Sequence, residues 1–261
     1  MSPRIMGILN VTPDSFSDGG LYRNFPEALS HAKKMIEHGA DIIDIGGEST
    51  RPGSDPVSLQ EEMDRVLPIV EKLVNLDIEV SVDTTKPQLA KDALYLGADI
   101  INDISGLQYD VKIAQYVAEH DAKLIIMHMK GVPKTMQEDP FSNDILGEIV
   151  EFFKAQTELA IKSGVERENI ILDPGIGFGK TLEDNVQIIK NLNIFKDLGF
   201  KIMIGASRKS MIGMISGADV QDRLPGSLAV ACVAAQRQVD IIRVHDVPET
   251  IQALKVIEQI W

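Results

Sequence analysis

The chain has 261 residues, 44% hydrophobic and 25% charged, and its 39 Asp+Glu against 26 Lys+Arg give a formal net charge of −13. That balance lacks the basic footprint of sequence-independent nucleic-acid binding, and no apolar run of membrane-spanning length is present. The single cysteine, Cys232, excludes an intramolecular disulfide and a Cys-rich zinc site.

The start, Met1-Ser2-Pro3-Arg4, has no signal-like apolar stretch, so a cytoplasmic protein without nucleic-acid or membrane partners is expected. About 250 residues suit one α/β barrel or two small domains. An acidic protein that takes an anionic substrate must also gather positive charge locally.

Eight short β-rich runs follow one another, at 4–10, 41–47, 79–85, 99–105, 123–129, 169–175, 201–207 and 240–246. Most are near-continuous in Ile, Val, Leu and Met, the pattern of strands covered on both faces in a parallel sheet. Helix signals lie between them. Ser58-Leu59-Gln60-Glu61 has the capping-box form, and Leu59, Met63, Val66, Leu67, Val70 and Val74 recur at helical spacing. Pro87 suits a first helical turn, and Gly39, Gly97 and Gly164 suit helix ends. Gly39-Ala40-Asp41-Ile42-Ile43 returns almost unchanged as Gly97-Ala98-Asp99-Ile100-Ile101, a repeated helix-to-strand unit. Cys232, in the apolar run 228–235, is expected to be buried. That helix and the C-terminal run Ile251, Leu254, Ile257, Ile260, Trp261 suit either the core or a dimer surface.

Eight alternating strands without a linker predict an α/β fold of one domain over 1–261, a single (β/α)8 TIM barrel with parallel strands, rather than a doubly wound open sheet. Chemistry in such a barrel sits at the C-terminal strand ends. Those ends are strongly polar here: Asn10, the run 46–51, Asp83, Asn102-Asp103, His128, Asp173, Ser207-Arg208-Lys209, and Arg243 with His245. Taken singly, each Asp or Asn suits a turn or helix cap and His128 suits a packed, hydrogen-bonded site. Converging on one mouth, they would be costly without a ligand.

Three loops stand apart. NVTPDSFSDGG at 10–20, with Thr12, Asp14, Ser15, Phe16, Ser17 and Asp18, suits a mobile lid with an apolar tip. ESTRPG at 48–53 sets Arg51 beside Pro52 for anion contact. DPGIGFGK at 173–180 is not a phosphate-binding P-loop, because Pro174 stands where that motif needs glycine. Its Gly175, Gly177 and Gly179 allow close backbone approach to a flat or charged group, with Phe178 available for stacking. Arg243 and His245 share one side of the last strand, and with Arg51 and Lys209 they are expected to form a positive rim, while the excess acid lies on outer helices at Glu61-Glu62 and Glu148–Glu151.

Together NVTPDSFSDGG, ESTRPG, SVDTTKP at 81–87, IND at 101–103, MHM at 127–129, DPGIGFGK, SRKS at 207–210 and RVHD at 243–246 resemble the bacterial dihydropteroate synthase family of pterin-binding barrels, in order and over nearly the whole chain. The resemblance implies a folate-pathway transferase that joins p-aminobenzoate to a dihydropterin diphosphate and releases pyrophosphate, with Mg2+, as a homodimer and a sulfonamide target. It implies a pterin pocket of Asp83, Asn102, Asp173 and Lys209, with Asp83, Asp173 and Lys209 catalytic. Asn10 would meet the metal, and Asn10, Arg243 and His245 the diphosphate. Thr50, Arg51, Pro52, Phe178 and Ser210 would line the aminobenzoate side.

Two alternatives are a methyltetrahydrofolate-type methyltransferase and a non-catalytic pterin-binding paralogue. The first has no need of ESTRPG or of Lys209, Arg243 and His245, and the second has no need of chemically competent residues at every motif position. The chain starts just before its first strand, so the N-terminal hairpin of some relatives is expected to be missing or minimal, and Lys130 receives no role.

Overall fold

Runs of β-branched and long apolar residues form the strands because both of their faces are covered, one by the barrel interior and one by helices. A computed structural model describes residues 2–12, 21–49, 56–131, 136, 140 and 142–260, with 21–24 described for their backbone alone. The strands are β1 (Arg4–Asn10), β2 (Ile42–Gly46), β3 (Glu79–Asp83), β4 (Ile100–Asp103), β5 (Lys123–Met127), β6 (Ile170–Asp173), β7 (Lys201–Ile204) and β8 (Ile241–Val244). All pair in parallel with their sequence neighbours, and β1 pairs with β8, which closes the barrel. The chain is a single (β/α)8 barrel.

Each strand sits where its sequence run predicts it, but from β2 onward most end one to three residues early. Asp83, Asn102, Asp103 and Asp173 stay within the strand ends, and the loops begin just beyond them.

Ten α-helices stand among the described residues: α1 (Leu21–Glu37), α2 (Leu59–Leu73), α3 (Pro87–Leu96), α4 (Lys112–Glu119), α5 (Ile145–Lys162), α6 (Leu182–Lys190), α7 (Leu192–Lys196), α8 (Ser210–Ser216), α9 (Leu224–Gln236) and α10 (Val247–Ile260). Ser58 caps α2 by accepting from the Glu61 N–H, yet the reciprocal half of the expected capping box is missing because the Glu61 carboxylate pairs with Arg65. The complete box is at Thr181 and Asp184, at the start of α6. Pro87 opens α3, and Gly39, Gly97 and Gly164 all take positive φ at helix ends, as expected.

Inside the barrel, Met6, Ile42, Ile100, Ile125, Ile171, Met203 and Ile241 form one buried apolar cluster with a contribution from every strand but β3, where Ser81 stands. Two residues earlier on the odd strands, Glu79 bridges Arg4 (3.0 Å) and Lys123 (2.8 Å). This charged lattice caps the N-terminal end of the barrel. Burial alone would raise the Glu79 carboxyl, but hydrogen bonds from Lys123 and Arg4 hold it below its ordinary value. A larger apolar layer, including Val66, Val70, Leu89, Ile149 and Phe153, fills the space between barrel and helices.

Three burial expectations are overturned. Cys232 is only half-buried, because α9 carries small apolar residues all round and turns just Ser227, Ala231 and Ala234 fully inward. Glu62 is buried rather than part of an acidic outer face, since it meets Lys86 beneath the β2 loop. Leu59, read as part of the apolar stripe of α2, is exposed.

Candidate active site at the barrel mouth

The site follows from period-two geometry. One step above the apolar layer, the inner positions Ile42, Ile100, Ile171 and Ile241 give way to Asp44, Asn102, Asp173 and Arg243. These four come from alternate strands, as a barrel layer does. Asp44 Oδ2 accepts from Asn102 Nδ2 at 3.0 Å and from Arg243 Nε at 2.6 Å, and Arg243 Nη2 reaches Asp83 Oδ2 at 2.9 Å. Gly205, two residues beyond Met203, adds no side chain where a Cβ would already touch Arg243.

The guanidinium therefore ties β8 to β2 and β3 across the barrel. Arg243 stands at the mouth within electrostatic reach of Lys209, and two carboxylates hold its guanidinium toward the interior. Burial alone would favour loss of its charge, yet Asp44 and Asp83 hold its pKa above the ordinary value. The Asp83 carboxyl is pushed up by burial, against the attraction of Arg243 and with added repulsion from Asp44. Sequence reasoning passed over Asp44. The available signal was a carboxylate on the inward parity of the apolar run Ile42-Ile43-Asp44-Ile45.

Asp173 is buried at the end of β6, with Oδ1 accepting from the Gly175 N–H at 2.8 Å. Burial raises its carboxyl, and the Lys209 charge opposes the rise. Lys209 is brought alongside from the loop after β7. Its Nζ donates to the Ile176 carbonyl and lies 4.2 Å from the centre of the Phe178 ring. Burial brings its pKa down to about 8, with Asp173 opposing and Arg243 assisting.

Phe178 packs on Ile104, Met127, Met129 and Met136. The glycines around it are explained by protein rather than by ligand, which corrects the sequence expectation. Gly175 and Gly179 have φ of 67° and 64°, and a Cβ on either would overlap the carbonyl oxygen of His128 or Lys130 in the β5 loop. Only glycine allows both the left-handed backbone and this approach.

The loops after β7 and β8 are joined. Ser207 Oγ accepts from the His245 N–H at 3.2 Å and meets His245 Nδ1 at 3.0 Å. Next to them Arg208 forms a bidentate pair with Asp246 and adopts a φ of 56°, uncommon for a non-glycine residue. Its N–H donates to Ser227 Oγ at 2.9 Å, and its carbonyl accepts from Arg223 Nη1 at 3.1 Å. Ser210 is exposed at the first turn of α8.

At the β2 end, Arg65 Nη1 donates to the Gly47 carbonyl at 2.7 Å, and Lys86 bridges Glu48 and Glu62. His128 and Asp103 serve architecture. The His128 ring meets Phe152 edge-on at 5.0 Å between centroids, and burial, assisted by Lys180 and Lys130, lowers its pKa to about 3. Asp103 accepts from Ser105 N and Oγ and from Leu107 N, at 2.7–2.8 Å, and so shapes the β4 loop.

Asn10 lies half-buried at the end of β1, its Oδ1 facing Gly46, and among the described residues no cluster of three or more His, Cys, Asp or Glu could hold a metal ion. Thr50, Arg51 and Pro52, the lid expectation for Asp14, Ser15, Phe16, Ser17 and Asp18, and Trp261 lie outside the described residues.

A family model described as "Pterin binding enzyme" matches residues 6–245. Over 259 residues the chain is 49% identical to the dihydropteroate synthase of Synechocystis sp., covering 98% of this chain and 90% of that relative. The chain belongs to the dihydropteroate synthase family. A Yersinia pestis dihydropteroate synthase solved with a sulfonamide drug superposes with a TM-score of 0.93 at 44% identity, covering 99% of this chain and 94% of that one. A Xanthomonas albilineans synthase with 4-aminobenzoic acid gives 0.93 at 40% identity, with 99% and 93% covered. The match includes the strands that carry Asp44, Asp83, Asn102, Asp173 and Arg243, so the polar layer belongs to a pterin-binding family and to a transferase of folate biosynthesis.

Proposed function

We propose that the chain condenses p-aminobenzoate with 6-hydroxymethyl-7,8-dihydropterin diphosphate, giving 7,8-dihydropteroate and pyrophosphate. The observation that carries this reading is the layer of Asp44, Asn102, Asp173 and Arg243, with Lys209 acting on the Asp173 carboxyl and standing over the Phe178 ring. A pterin ring offers several N–H donors along one edge, and the buried Asp173 carboxylate is the acceptor that selects them, with Asp83 and Asn102 completing the pocket. Burial of Asp173 makes that recognition strong once the donors arrive.

Aminobenzoate stands on the Phe178 and Ser210 side, together with Thr50, Arg51 and Pro52. Its amine is unprotonated at neutral pH, so no strong base is needed. The new C–N bond forms at the pterin methylene carbon, the C–O bond to diphosphate breaks, and the amine proton leaves to solvent or to the departing diphosphate. Lys209, Arg243 and His245 stabilise the charge on the leaving group, an electrostatic rather than nucleophilic catalysis.

Mg2+ belongs to the same proposal. Mg2+ keeps several waters and is commonly held through few protein oxygens plus substrate phosphates. The donor set here fits that habit, with the neutral amide oxygen of Asn10 at the mouth. Asn10 would hold the ion, which when bound neutralises the diphosphate.

A cytoplasmic location and a homodimer complete the reading. Supporting the dimer, Met214, Ile215 and Val220 are more than half exposed beside the apolar α9, a patch suited to a second copy. The deciding assay mixes both substrates with Mg2+ and measures pyrophosphate. Aminobenzoate-dependent release is expected, reduced about a hundredfold or more in Asp173→Asn. No release from the unaltered chain would overturn the proposal and favour a non-catalytic pterin-binding role.

A further inference from the structure

Lys180 is a buried cation that the proposed reaction does not use. It ends the Gly179-Lys180 pair, which has the form of a P-loop ending although Pro174 rules that motif out, and it is 3% exposed. Its Nζ donates to three backbone carbonyls: His128 at 3.0 Å, Gly175 at 2.9 Å and Phe178 at 3.0 Å. An ammonium has three N–H bonds, so its donor capacity is spent and none is left for a substrate. The charged groups that act on it are Asp173, Lys209, Asp184 and Lys130.

The three acceptors belong to two loops. His128 follows β5, and Gly175 and Phe178 lie in the loop after β6, so Lys180 fastens the two loops from beneath. The glycine contacts on the same seam require the loops to sit backbone to backbone at Gly175 and Gly179. Asn185 secures the other side by accepting from the Gly177 N–H at 2.7 Å. Between these ties stands Phe178, whose carbonyl is one of the three acceptors and whose ring faces the Lys209 ammonium. The Phe178 backbone is therefore fastened by a residue with no donor left for either substrate.

We infer that Lys180 is the positioning residue of the aminobenzoate subsite, fixing Phe178 and the β6 loop against the β5 loop so that the second substrate finds a rigid wall. The inference rests on the proposed reading that Phe178 lines that subsite. Asp173 is placed by β6, and its Oδ1 accepts from the N–H of Gly175, whose carbonyl Lys180 also holds, so the pterin pocket depends on the tie less directly than the Phe178 wall does. The prediction is therefore a split between substrates.

The test compares the unaltered chain with Lys180→Met, which keeps the length of the stem and removes all three bonds, and with Lys180→Gln, whose amide retains two donors. KM for p-aminobenzoate is expected to rise about tenfold in Lys180→Met and less in Lys180→Gln, with KM for the pterin diphosphate changed less than about threefold in both. Thermal unfolding followed alongside identifies the folded variants, and Lys180→Gln carries the test if Lys180→Met does not fold. Parallel rises in both KM values, no change in either, or failure of both variants to fold would overturn the inference, making Lys180 a general support of the barrel. An inactive unaltered chain would instead remove the reaction itself, and the two failures are thereby distinguished.

Discussion

A single carboxylate in an apolar strand does more for this site than its surroundings suggest. Asp44, completely buried, accepts from both Asn102 and Arg243, and so orders two further strands. Among the described residues, neither its Oδ1 nor Asn102 Oδ1 has a hydrogen-bond partner. Buried acceptors of this kind are costly to leave unpaired, and they suit a layer that awaits donors from a substrate. His128 shows the opposite use of a polar residue. Its ring is buried against Phe152, and burial holds the imidazole neutral down to about pH 3. The unfolded chain takes up that proton near pH 6.5, whereas the folded chain does not, so this stabilising difference is complete above pH 6.5 and declines as pH falls from 6.5 towards 3. His128→Gln is expected to flatten the fall of the urea midpoint between pH 6.5 and 4, and an equally steep fall in the variant would assign the acid sensitivity to other groups.

At the scale of elements, side chains link neighbouring loops to one another. Arg208 and Asp246 join the loop after β7 to the start of α10, and their sequence neighbours are Lys209 and His245, two residues assigned to the leaving group. Arg208 keeps its positive φ because its N–H, carbonyl and guanidinium all have partners. The pair is partly exposed, so its removal is expected to change stability by no more than about 1 kcal/mol. Its effect belongs to position. Asp246→Asn is expected to raise KM for the pterin diphosphate about three- to tenfold and weaken inhibition by pyrophosphate, leaving KM for p-aminobenzoate unchanged. Equal KM shifts for both substrates, or a stability loss well beyond that estimate, would contradict the positioning role.

At the scale of the whole molecule, a net charge of −13 coexists with a site for anions because charge is sorted by depth. Glu148 and Glu151 face solvent as expected, while Glu62 is drawn inward by Lys86 and Glu79 by Arg4 and Lys123. Within the mouth, carboxylates occupy the lower layer, and Lys209 reaches over them from the loop after β7. The exposed apolar side chains of α8 and its following turn bear on assembly. A homodimer through this face predicts that Met214→Glu combined with Ile215→Lys yields a monomer by sedimentation velocity at micromolar concentration. The same mass for altered and unaltered chains would place any self-association elsewhere.

The eight strands, their order and the polar character of their C-terminal ends were legible from the sequence, because alternation of apolar runs with helical periods is a local property of the chain. The motifs also carried the family, and they pointed to Asp83, Asn102, Asp173 and Lys209, which the fold gathers at the barrel mouth. Closure of the barrel decided the rest. Residues 199 apart, Asp44 and Arg243, meet only because β1 pairs with β8, and this contact holds the Arg243 guanidinium toward the interior of the mouth. The His128 partner of Lys180 and the reason for Gly175 and Gly179 lie on the loop of the neighbouring strand β5, 47 to 52 residues away in sequence. A local pattern specifies which face a residue takes, but its partner depends on the strands that closure sets beside or across from it.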